Sequence, residues 1–371
     1  MSNEKTYKHR KLLSVGGTFD DLGGRKSGYF ERLVEGLDYL DRDFGEWSDT
    51  ILVNGGSCEH LEQALKANKP DFILWMADVP NDKPKLLSMV KELHPKSILV
   101  GSKRNDDGKY GFMDLVARAL HAKMNLFVEF VKRSDGLVEA SLYDPLGNVF
   151  GTRLSGPEML AYALYMRMTF LARMTRLGSV QDGPSLEVPD KPELFNLVQG
   201  YAEKFHELIH GVNTTRMLGN VSFRCENGFA SFRDRKVFYV SRRNLDKRMI
   251  GKEGFVAVDL ADETQVRYHG DAKPSVDAPI HAALYRVFPV VNYMLHSHVY
   301  IEGAPFTNSV VPCGALEEVD AVMEVVSTAS RFQHRINLRG HGSLVMAWTL
   351  EDLIDIPYVA RKCPEQHEQR T

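Results

Sequence analysis

The chain has 371 residues, of which 43% are hydrophobic, and a formal net charge of −3. This length allows two domains with ordinary cores. The near-neutral charge excludes the broad basic surface typical of nucleic-acid-binding proteins, so we expect no nucleic-acid partner.

The cysteines and the apolar segments indicate a cytoplasmic protein. The N-terminus MSNEKTYKHRK lacks the apolar core of a signal peptide. The most apolar helical run, 159–174, contains Arg167 and Arg173 and is too short and too charged to span a bilayer. The four cysteines are scattered along the chain and form no C-x-x-C pair, which indicates reduced thiols. They are Cys58, Cys225, Cys313 and Cys363.

The first half of the chain alternates between short apolar runs and helix-like stretches. This alternation predicts a Rossmann-like parallel α/β domain over residues 1–178. The predicted strands are 11–16, 50–54, 71–76, 97–101, 125–131 and 139–145, and the predicted helices are 28–40, 58–67, 83–93, 112–122 and 156–176.

A stretch rich in proline, glycine and acidic residues follows and predicts a linker over 179–192. Residues 193–371 then form the second predicted domain. Its predicted helices are 192–211, 278–288 and 315–330, with a short one from Thr349. Its predicted strands are 220–225, 228–233, 236–241, 254–260, 290–298 and 335–348.

Two histidines one residue apart, His296 and His298, end an apolar run that is predicted to be a strand. Residues i and i+2 of a strand point to the same face, so both imidazoles can reach one ion, and zinc accepts such ligands. Because the chain has 13 histidines, about half an H-x-H is expected by chance, and ordinary hydrogen bonds are an equal alternative for this pair alone.

The context of this pair resembles the class II aldolase/adducin family. That family carries, in order, a GN-S turn, a second phosphate loop, a PSSE-like loop before a helix, an H-x-H strand and a later HG. Counterparts of all five lie within about residues 195–355. They are MLGNVSFR (217–224), the loop at Ser241, KPSVD (273–277), HSH (296–298) and HG (341–342). The resemblance implies an α/β/α domain around a mainly antiparallel central sheet.

The resemblance also implies roles for individual residues. His296, His298 and His341 would bind a divalent metal, usually zinc, which would act as a Lewis acid on a sugar phosphate and stabilise an enediolate. Asp277 takes the place of the family glutamate and would move protons or act as a fourth ligand. The alternative for Asp277 is a helix N-cap.

The family phosphate-binding positions match Gly219, Asn220, Ser241 and Ser275. The chain departs from the pattern in two places, since Arg242 follows Ser241 where the family has glycine, and Val276 replaces the second serine of PSSE. Arg242 or Arg243 could grip a phosphate or a carboxylate instead, or be surface charges. In family members, the tip after the counterpart of Cys313 supplies an acid, often Tyr or Asp, to the neighbouring subunit. That tip is shorter here, and Glu317, Glu318 and Tyr300 are candidates for the acid.

The first domain begins with a strand and a Gly-rich loop, in which Gly16, Gly17 and Thr18 could approach a phosphate or simply form a tight turn. The domain faintly resembles the phosphopantothenoylcysteine synthetase domain through GGT (16–18), RKSG (25–28) and YDPLGNVFG (143–151). That resemblance implies a nucleotide or phosphorylated ligand, with a structural role as the alternative.

Taken together, these patterns favour a metal-dependent lyase of class II aldolase type acting on a phosphorylated or carboxylated hydroxy-carbonyl compound. A sugar-phosphate 4-epimerase and a methylthioribulose-phosphate-type dehydratase are alternatives within the family. A non-catalytic adducin-like scaffold is the alternative outside enzymes, although adducins lack the metal histidines retained here. The family also implies a homo-oligomer, usually a tetramer.

Overall fold

The computed structural model describes residues 10–80, 85–209, 219–224, 237–326 and 333–367. The chain divides into two compact units. Unit 1 comprises Met1–Arg173 and Cys363–Thr371, and unit 2 comprises Met174–Lys362. These limits differ from the predicted ones, because the last residues return to unit 1 and the predicted linker 179–192 lies in unit 2.

Unit 1 contains an eight-stranded sheet in the order β18-β7-β6-β5-β4-β3-β1-β2. Strands β1 to β5 pair in parallel, and β6 and β7 add an antiparallel edge. The strands are β1 Lys11–Asp20, β2 Asp49–Ser57, β3 Phe72–Asp78, β4 Ile98–Arg104, β5 Leu126–Lys132, β6 Val138–Tyr143, β7 Asn148–Ser155 and β18 Glu365–Gln366.

Helices connect the parallel strands, as the alternation predicts. They are α1 Gly28–Phe44, α2 Cys58–Ala67, α3 Lys85–Leu93 and α4 Phe112–His121, and a further helix, α5 Pro157–Arg173, follows β7. Because helices cover a parallel sheet, its central strands are apolar on both faces. Phe72, Ile73 and Leu74 of β3 are accordingly all fully buried. The Rossmann-like parallel fold predicted for this half is confirmed.

Unit 2 contains a second eight-stranded sheet in the order β15-β16-β13-β9-β10-β11-β12-β8. All of its pairings are antiparallel except that of β12 with β8, so the predicted mainly antiparallel sheet is confirmed. The strands are β8 Ser179–Gln181, β9 Asn220–Phe223, β10 Val237–Ser241, β11 Phe255–Asp259, β12 Val266–His269, β13 Tyr293–Ser297, β15 Gln333–Leu338 and β16 Gly342–Ala347.

The helices of unit 2 are α6 Pro192–Leu208, α7 Ala278–Val287 and α8 Glu317–Met323. Strands β14 Tyr300–Ile301 and β17 Tyr358–Val359 form a separate pair. Helix α7 contributes Ile280, Leu284 and Tyr285 to a core that also contains Phe238 of β10 and Met294 of β13. This packing fixes the start of α7 near the ends of the central strands.

Two predicted elements of unit 2 differ from the observed ones. The predicted strand 335–348 is wrong as a single strand, because it folds into β15 and β16 with a turn between them. The predicted helix 315–330 is shorter, and only Glu317–Met323 is helical in the described part of it. The predicted strand 228–233 lies outside the described residues. In the described part of the chain, no helix is long and apolar enough to cross a membrane.

Candidate metal centre

The first two histidines lie at the end of β13, which runs between β9 and β16 in the middle of the sheet of unit 2. His296 lies within the strand, whereas His298 follows its last residue, Ser297. The prediction that both histidines lie in the strand is therefore half right. Both side chains are buried, with exposed fractions of 2% for His296 and 8% for His298.

The third histidine, His341, lies in the turn between β15 and β16 and not in a strand. Gly342 follows it with a φ of +154°, and a β-carbon at that position would lie 1.8 Å from the carbonyl oxygen of Ser297. The glycine therefore allows the turn to approach the end of β13 closely. This approach brings His341 beside the H-x-H pair.

One ring nitrogen from each of His296, His298 and His341 lies within 4.8 Å of the other two. The ring centroids are 4.6 to 5.2 Å apart. Such a group of imidazoles can hold one metal ion, with room for further ligands.

The hydrogen bonds of the three histidines test whether they fit a metal. Nδ1 of His296 lies 3.0 Å from the carbonyl oxygen of Ser343, to which it can only donate, so Nε2 carries the lone pair. Among the described residues, Nε2 of His296, Nδ1 of His298 and Nε2 of His341 are buried without a hydrogen-bond partner. Buried nitrogens without partners are rare, and a cation would satisfy all three.

Burial also keeps two of the imidazoles neutral, which is the form that binds metal. It lowers the pKa of His296 to about 3, with help from His341. Burial likewise lowers the pKa of His298 well below its ordinary value. Burial acts in the same direction on His341, but the carboxylates of Glu318 and Asp277 together outweigh it, so the pKa of His341 is raised.

Glu318 is held against His341 rather than pointing to solvent. Its Oε2 atom accepts a hydrogen bond from Nδ1 of His341 at 2.8 Å, and its exposed fraction is 4%. The other two candidates for an acid have different surroundings. Glu317 accepts hydrogen bonds from the amide of Thr175, and the hydroxyl of Tyr300 accepts one from the amide of Gly340.

Asp277 occupies the N-cap position of α7, but its side chain makes no capping hydrogen bond. The carboxylate instead accepts a hydrogen bond from Nδ2 of Asn220 at 2.6 Å and one from Sγ of Cys313 at 3.3 Å. Asn220 pairs across the strands with His296. The carboxylate is therefore directed towards the histidines, and its exposed fraction is 4%.

The positions matched to phosphate binding lie together. The Oγ atom of Ser241 accepts a hydrogen bond from the amide of Val221, and the amide of Ser275 donates to the carbonyl of Ser241. Gly219 has a φ of +74°, and a β-carbon there would lie 2.0 Å from the carbonyl oxygen of His296. Only glycine allows this turn to lie against β13.

Arg242 lies at the edge of this group, bridged through its backbone to Pro274, and is half-buried. Arg243 is exposed and donates from Nε to the carbonyl of Pro274 at 3.3 Å. The cation of this segment that the structure buries is Lys247. A lysine in a short polar loop gives no sequence signal that it is buried.

The Gly-rich segment of unit 1 differs from the predicted loop. Gly16, Gly17 and Thr18 lie within β1, and Thr18 exchanges hydrogen bonds with Arg25 through its amide and its hydroxyl. Thr18 also lines a cleft of about 290 Å³ with Phe19, Asp78, Val79 and Pro80. Ligand binding by this segment stays a prediction.

Three buried polar side chains beside the candidate metal centre are linked by hydrogen bonds, and the sequence analysis did not identify them. Oγ of Ser222 lies 2.6 Å from Nδ1 of His281 and 2.9 Å from the hydroxyl of Tyr285. His281 and Tyr285 are one turn apart on α7, and that spacing is the signal that could have identified them.

Comparison with known proteins supports the assignment of unit 2. Residues 201–301 match the family model described as the Class II Aldolase and Adducin N-terminal domain, which confirms the predicted class II aldolase/adducin domain in this half. A methylthioribulose-1-phosphate dehydratase from Enterobacter sp. (strain 638) is 31% identical over 94 residues, or 25% of this chain. The chain spans 45% of the length of that relative.

Several solved structures resemble parts of the chain. An L-fuculose 1-phosphate aldolase is 15% identical, with a TM-score of 0.32. The matched region covers 45% of this chain and 80% of the aldolase chain. A DNA/pantothenate metabolism flavoprotein from Streptococcus pneumoniae is 12% identical, with a TM-score of 0.34. The matched region covers 44% of this chain and 99% of the flavoprotein chain.

Proposed function

We propose that unit 2 is a divalent-metal-dependent lyase of class II aldolase type. The observation that carries the proposal is the cluster of His296, His298 and His341, each of which has one buried ring nitrogen without a hydrogen-bond partner among the described residues. The family match over residues 201–301 supports the same conclusion.

The three histidines would hold the metal, and zinc is our first choice because neutral imidazole nitrogens suit it. When bound, a divalent ion supplies Lewis acidity that stabilises negative charge in an enediolate. Glu318 would keep His341 in the tautomer whose Nε2 lone pair faces the centre.

Asp277 would move the protons of the reaction. In aldol cleavage its carboxylate would accept the proton of the substrate hydroxyl as the adjacent carbon–carbon bond breaks, and would return a proton to the resulting carbanionic carbon. The absence of a capping hydrogen bond leaves this carboxylate available for that role. Asn220 would orient it through the 2.6 Å hydrogen bond.

The substrate would be a phosphorylated or carboxylated hydroxy-carbonyl compound. Asn220 donates to the carboxylate of Asp277, and Oγ of Ser275 accepts a hydrogen bond from the amide of Asp277. Together with Gly219 and Ser241, these residues would surround the anionic end of such a molecule, with Arg242 at the edge. We propose that the protein acts as a homo-oligomer, as the family resemblance implies.

A dehydratase is the second candidate. The observation in its favour is the 31% identity to a methylthioribulose-1-phosphate dehydratase over 94 residues. The same carboxylate would then remove a proton from carbon and pass it to the hydroxyl group of the adjacent carbon, which leaves as water while the double bond forms. Product analysis separates the two reactions, because only cleavage produces two carbon fragments.

The test is metal content by elemental analysis of the purified wild type, His296→Ala and the control variant His60→Ala. His60 is exposed in unit 1. We expect about one divalent metal ion per chain in the wild type and the control, and loss of the ion from His296→Ala. Metal-loaded protein is then assayed on a panel of sugar phosphates and on methylthioribulose 1-phosphate.

In the same assay, Asp277→Asn is expected to lower kcat about 10²- to 10⁴-fold while retaining the metal. A wild type that binds no metal even after reconstitution would refute the lyase and the dehydratase alike. That result would leave the adducin-like scaffold. An epimerised product without net cleavage would redirect the proposal to a 4-epimerase.

A further inference from the structure

The side chain of Asn220 contains a buried oxygen atom without a hydrogen-bond partner. Asn220 is the first residue of β9, its exposed fraction is 2%, and its Oδ1 atom accepts no hydrogen bond from any residue that the structure describes. A buried amide oxygen normally has a partner, because removing it from water without one costs free energy. An unpaired acceptor at a candidate site therefore points to a ligand that completes it.

Two contacts place this side chain at the candidate metal centre. Asn220 lies opposite His296 in the pairing of β9 with β13, so the two side chains are neighbours on one face of the sheet. Its Nδ2 atom donates to Oδ2 of Asp277 at 2.6 Å. A metal ion held by the three histidines would satisfy their unpaired nitrogens, whereas Oδ1 of Asn220 needs a partner of its own.

The neighbouring carboxylate fixes which end of the amide group is unpaired. In the reverse orientation, Oδ1 of Asn220 would face an oxygen of Asp277 at hydrogen-bond distance, and two acceptors would repel each other. Oδ1 must therefore accept a hydrogen bond from another group. His296 is not the donor, because its Nδ1–H donates to the carbonyl of Ser343 and its other nitrogen carries a lone pair.

We propose that Oδ1 of Asn220 accepts a hydrogen bond from a hydroxyl group of the substrate. The inference rests on the proposed function and names the part of the substrate that this side chain recognises. A carboxylate has no proton to donate, and an amide oxygen repels an oxyanion, whereas a hydroxyl group is a donor. This role differs from the phosphate binding that the family position implies for Asn220.

The test compares ligands that differ by a single hydroxyl group. Metal-loaded, full-length protein is titrated in a calorimeter with dihydroxyacetone phosphate and with hydroxyacetone phosphate, which lacks one hydroxyl. Glycolate and acetate form a second pair that represents carboxylated compounds. The ratio of the dissociation constants within each pair measures the preference for the hydroxyl group. Any preference that comes from the metal alone is retained when Asn220 is changed.

The variants are Asn220→Leu, which is close to asparagine in size and lacks the amide, and Asn220→Ala, which serves if leucine prevents folding. The control is Cys313→Ala. Cys313 donates the other hydrogen bond to Asp277, from its Sγ atom to Oδ1 at 3.3 Å. The control therefore loosens the same carboxylate but leaves the amide oxygen in place. Elemental analysis of every variant shows whether the metal is retained.

We expect the hydroxylated member of at least one pair to bind about tenfold more tightly than its partner in the wild type. That preference should fall about fivefold in the Asn220 variants, the effect of one neutral hydrogen bond, and persist in Cys313→Ala. No preference in the wild type for either pair, or an unchanged preference in a folded Asn220 variant, would overturn the proposal. So would loss of the preference in Cys313→Ala, or loss of metal from both Asn220 variants.

Failure of this inference is distinct from failure of the lyase. A protein that holds its metal and cleaves a sugar phosphate, but keeps its hydroxyl preference without Asn220, refutes only the inference. A wild type that binds no metal refutes the lyase, and the same titrations of the metal-free chain then decide whether Asn220 recognises a hydroxyl group.

Discussion

Nδ1 of His341 lies 2.8 Å from the carboxylate of Glu318, in surroundings where both side chains are buried. Burial raises the pKa of Glu318, and the carboxylates of Glu318 and Asp277 raise the pKa of His341 against the opposing effect of burial. A carboxylate in this position fixes the orientation of a histidine ligand. His296 is held by the carbonyl of Ser343, which carries no charge.

We therefore expect Glu318→Gln to weaken metal binding about 10- to 100-fold without unfolding the protein. Competition with a chromophoric chelator measures the affinity. Glu317→Gln is the matched control, because that neighbouring carboxylate accepts hydrogen bonds from the amide of Thr175 instead. Equal affinities in the two variants would show that Glu318 does not position His341.

His281 offers a prediction about pH and stability. Burial lowers its pKa in the folded protein to about 4, against an ordinary value of 6.5. As the pH falls below 6.5, the unfolded chain binds this proton and the folded chain does not, so stability falls until about pH 4. Above pH 6.5 the residue is neutral in both states and contributes no pH dependence.

Between pH 7 and pH 5, the free energy of unfolding should fall by about 2 kcal/mol more in the wild type than in His281→Gln. Urea unfolding followed by circular dichroism at the two pH values measures this difference. The variant also loses the hydrogen bond to Ser222. That loss lowers its stability at both pH values, so it cancels when the change between pH 7 and pH 5 is compared in the two proteins. An identical pH dependence in both proteins would contradict the assigned pKa.

At the scale of elements, the centre depends on two close approaches to β13. The turn at Gly219 lies against the carbonyl of His296, and the turn at Gly342 lies against the carbonyl of Ser297. In both cases the missing β-carbon is what allows the contact. The histidines meet because β13 is central and both of these turns reach its end.

Gly219→Ala should therefore destabilise the protein by roughly 3 kcal/mol, since the new methyl group would overlap the backbone and the φ of +74° is strained for alanine. The matched control is Gly200→Ala within α6, where a β-carbon would have no atom within 4 Å. There the change should stabilise by up to about 1 kcal/mol. Thermal unfolding of both variants tests the pair, and equal shifts would contradict this account.

At the scale of the whole molecule, each unit has its own eight-stranded sheet. All residues of the candidate centre belong to unit 2, and β18 returns to pair with β7 in unit 1. Unit 2 therefore contains every element that the centre needs. We expect its fold not to depend on the sheet of unit 1.

A fragment of residues 174–362 should accordingly fold by itself. Its affinity for the metal should lie within about threefold of that of the full-length protein, because a threefold change corresponds to less than about 1 kcal/mol of binding free energy. Circular dichroism and elemental analysis provide the two measurements, and the same fragment carrying His296→Ala is the control. A folded fragment without metal would show that unit 1 contributes to the site.

The sequence by itself determined the fold class of the first half, because hydrophobic periodicity depends on local geometry that each segment carries with it. The fold class of the second half followed from its resemblance to the class II aldolase/adducin family. The sequence also supplied His296, His298, His341 and Asp277 as candidates, through the order of their motifs. It failed for the strand 335–348, where the two glycines around His341 form a turn that divides the apolar run.

Only the tertiary structure decided which side chains meet and which are deprived of partners. Two of the hydrogen bonds at the centre connect residues that are distant in the chain, Glu318 with His341 and Asp277 with Asn220. The burial of Lys247 likewise depends on the elements that pack around it. The physical reason is that burial and charge pairing are set by packing between elements, and no local pattern in the sequence encodes them.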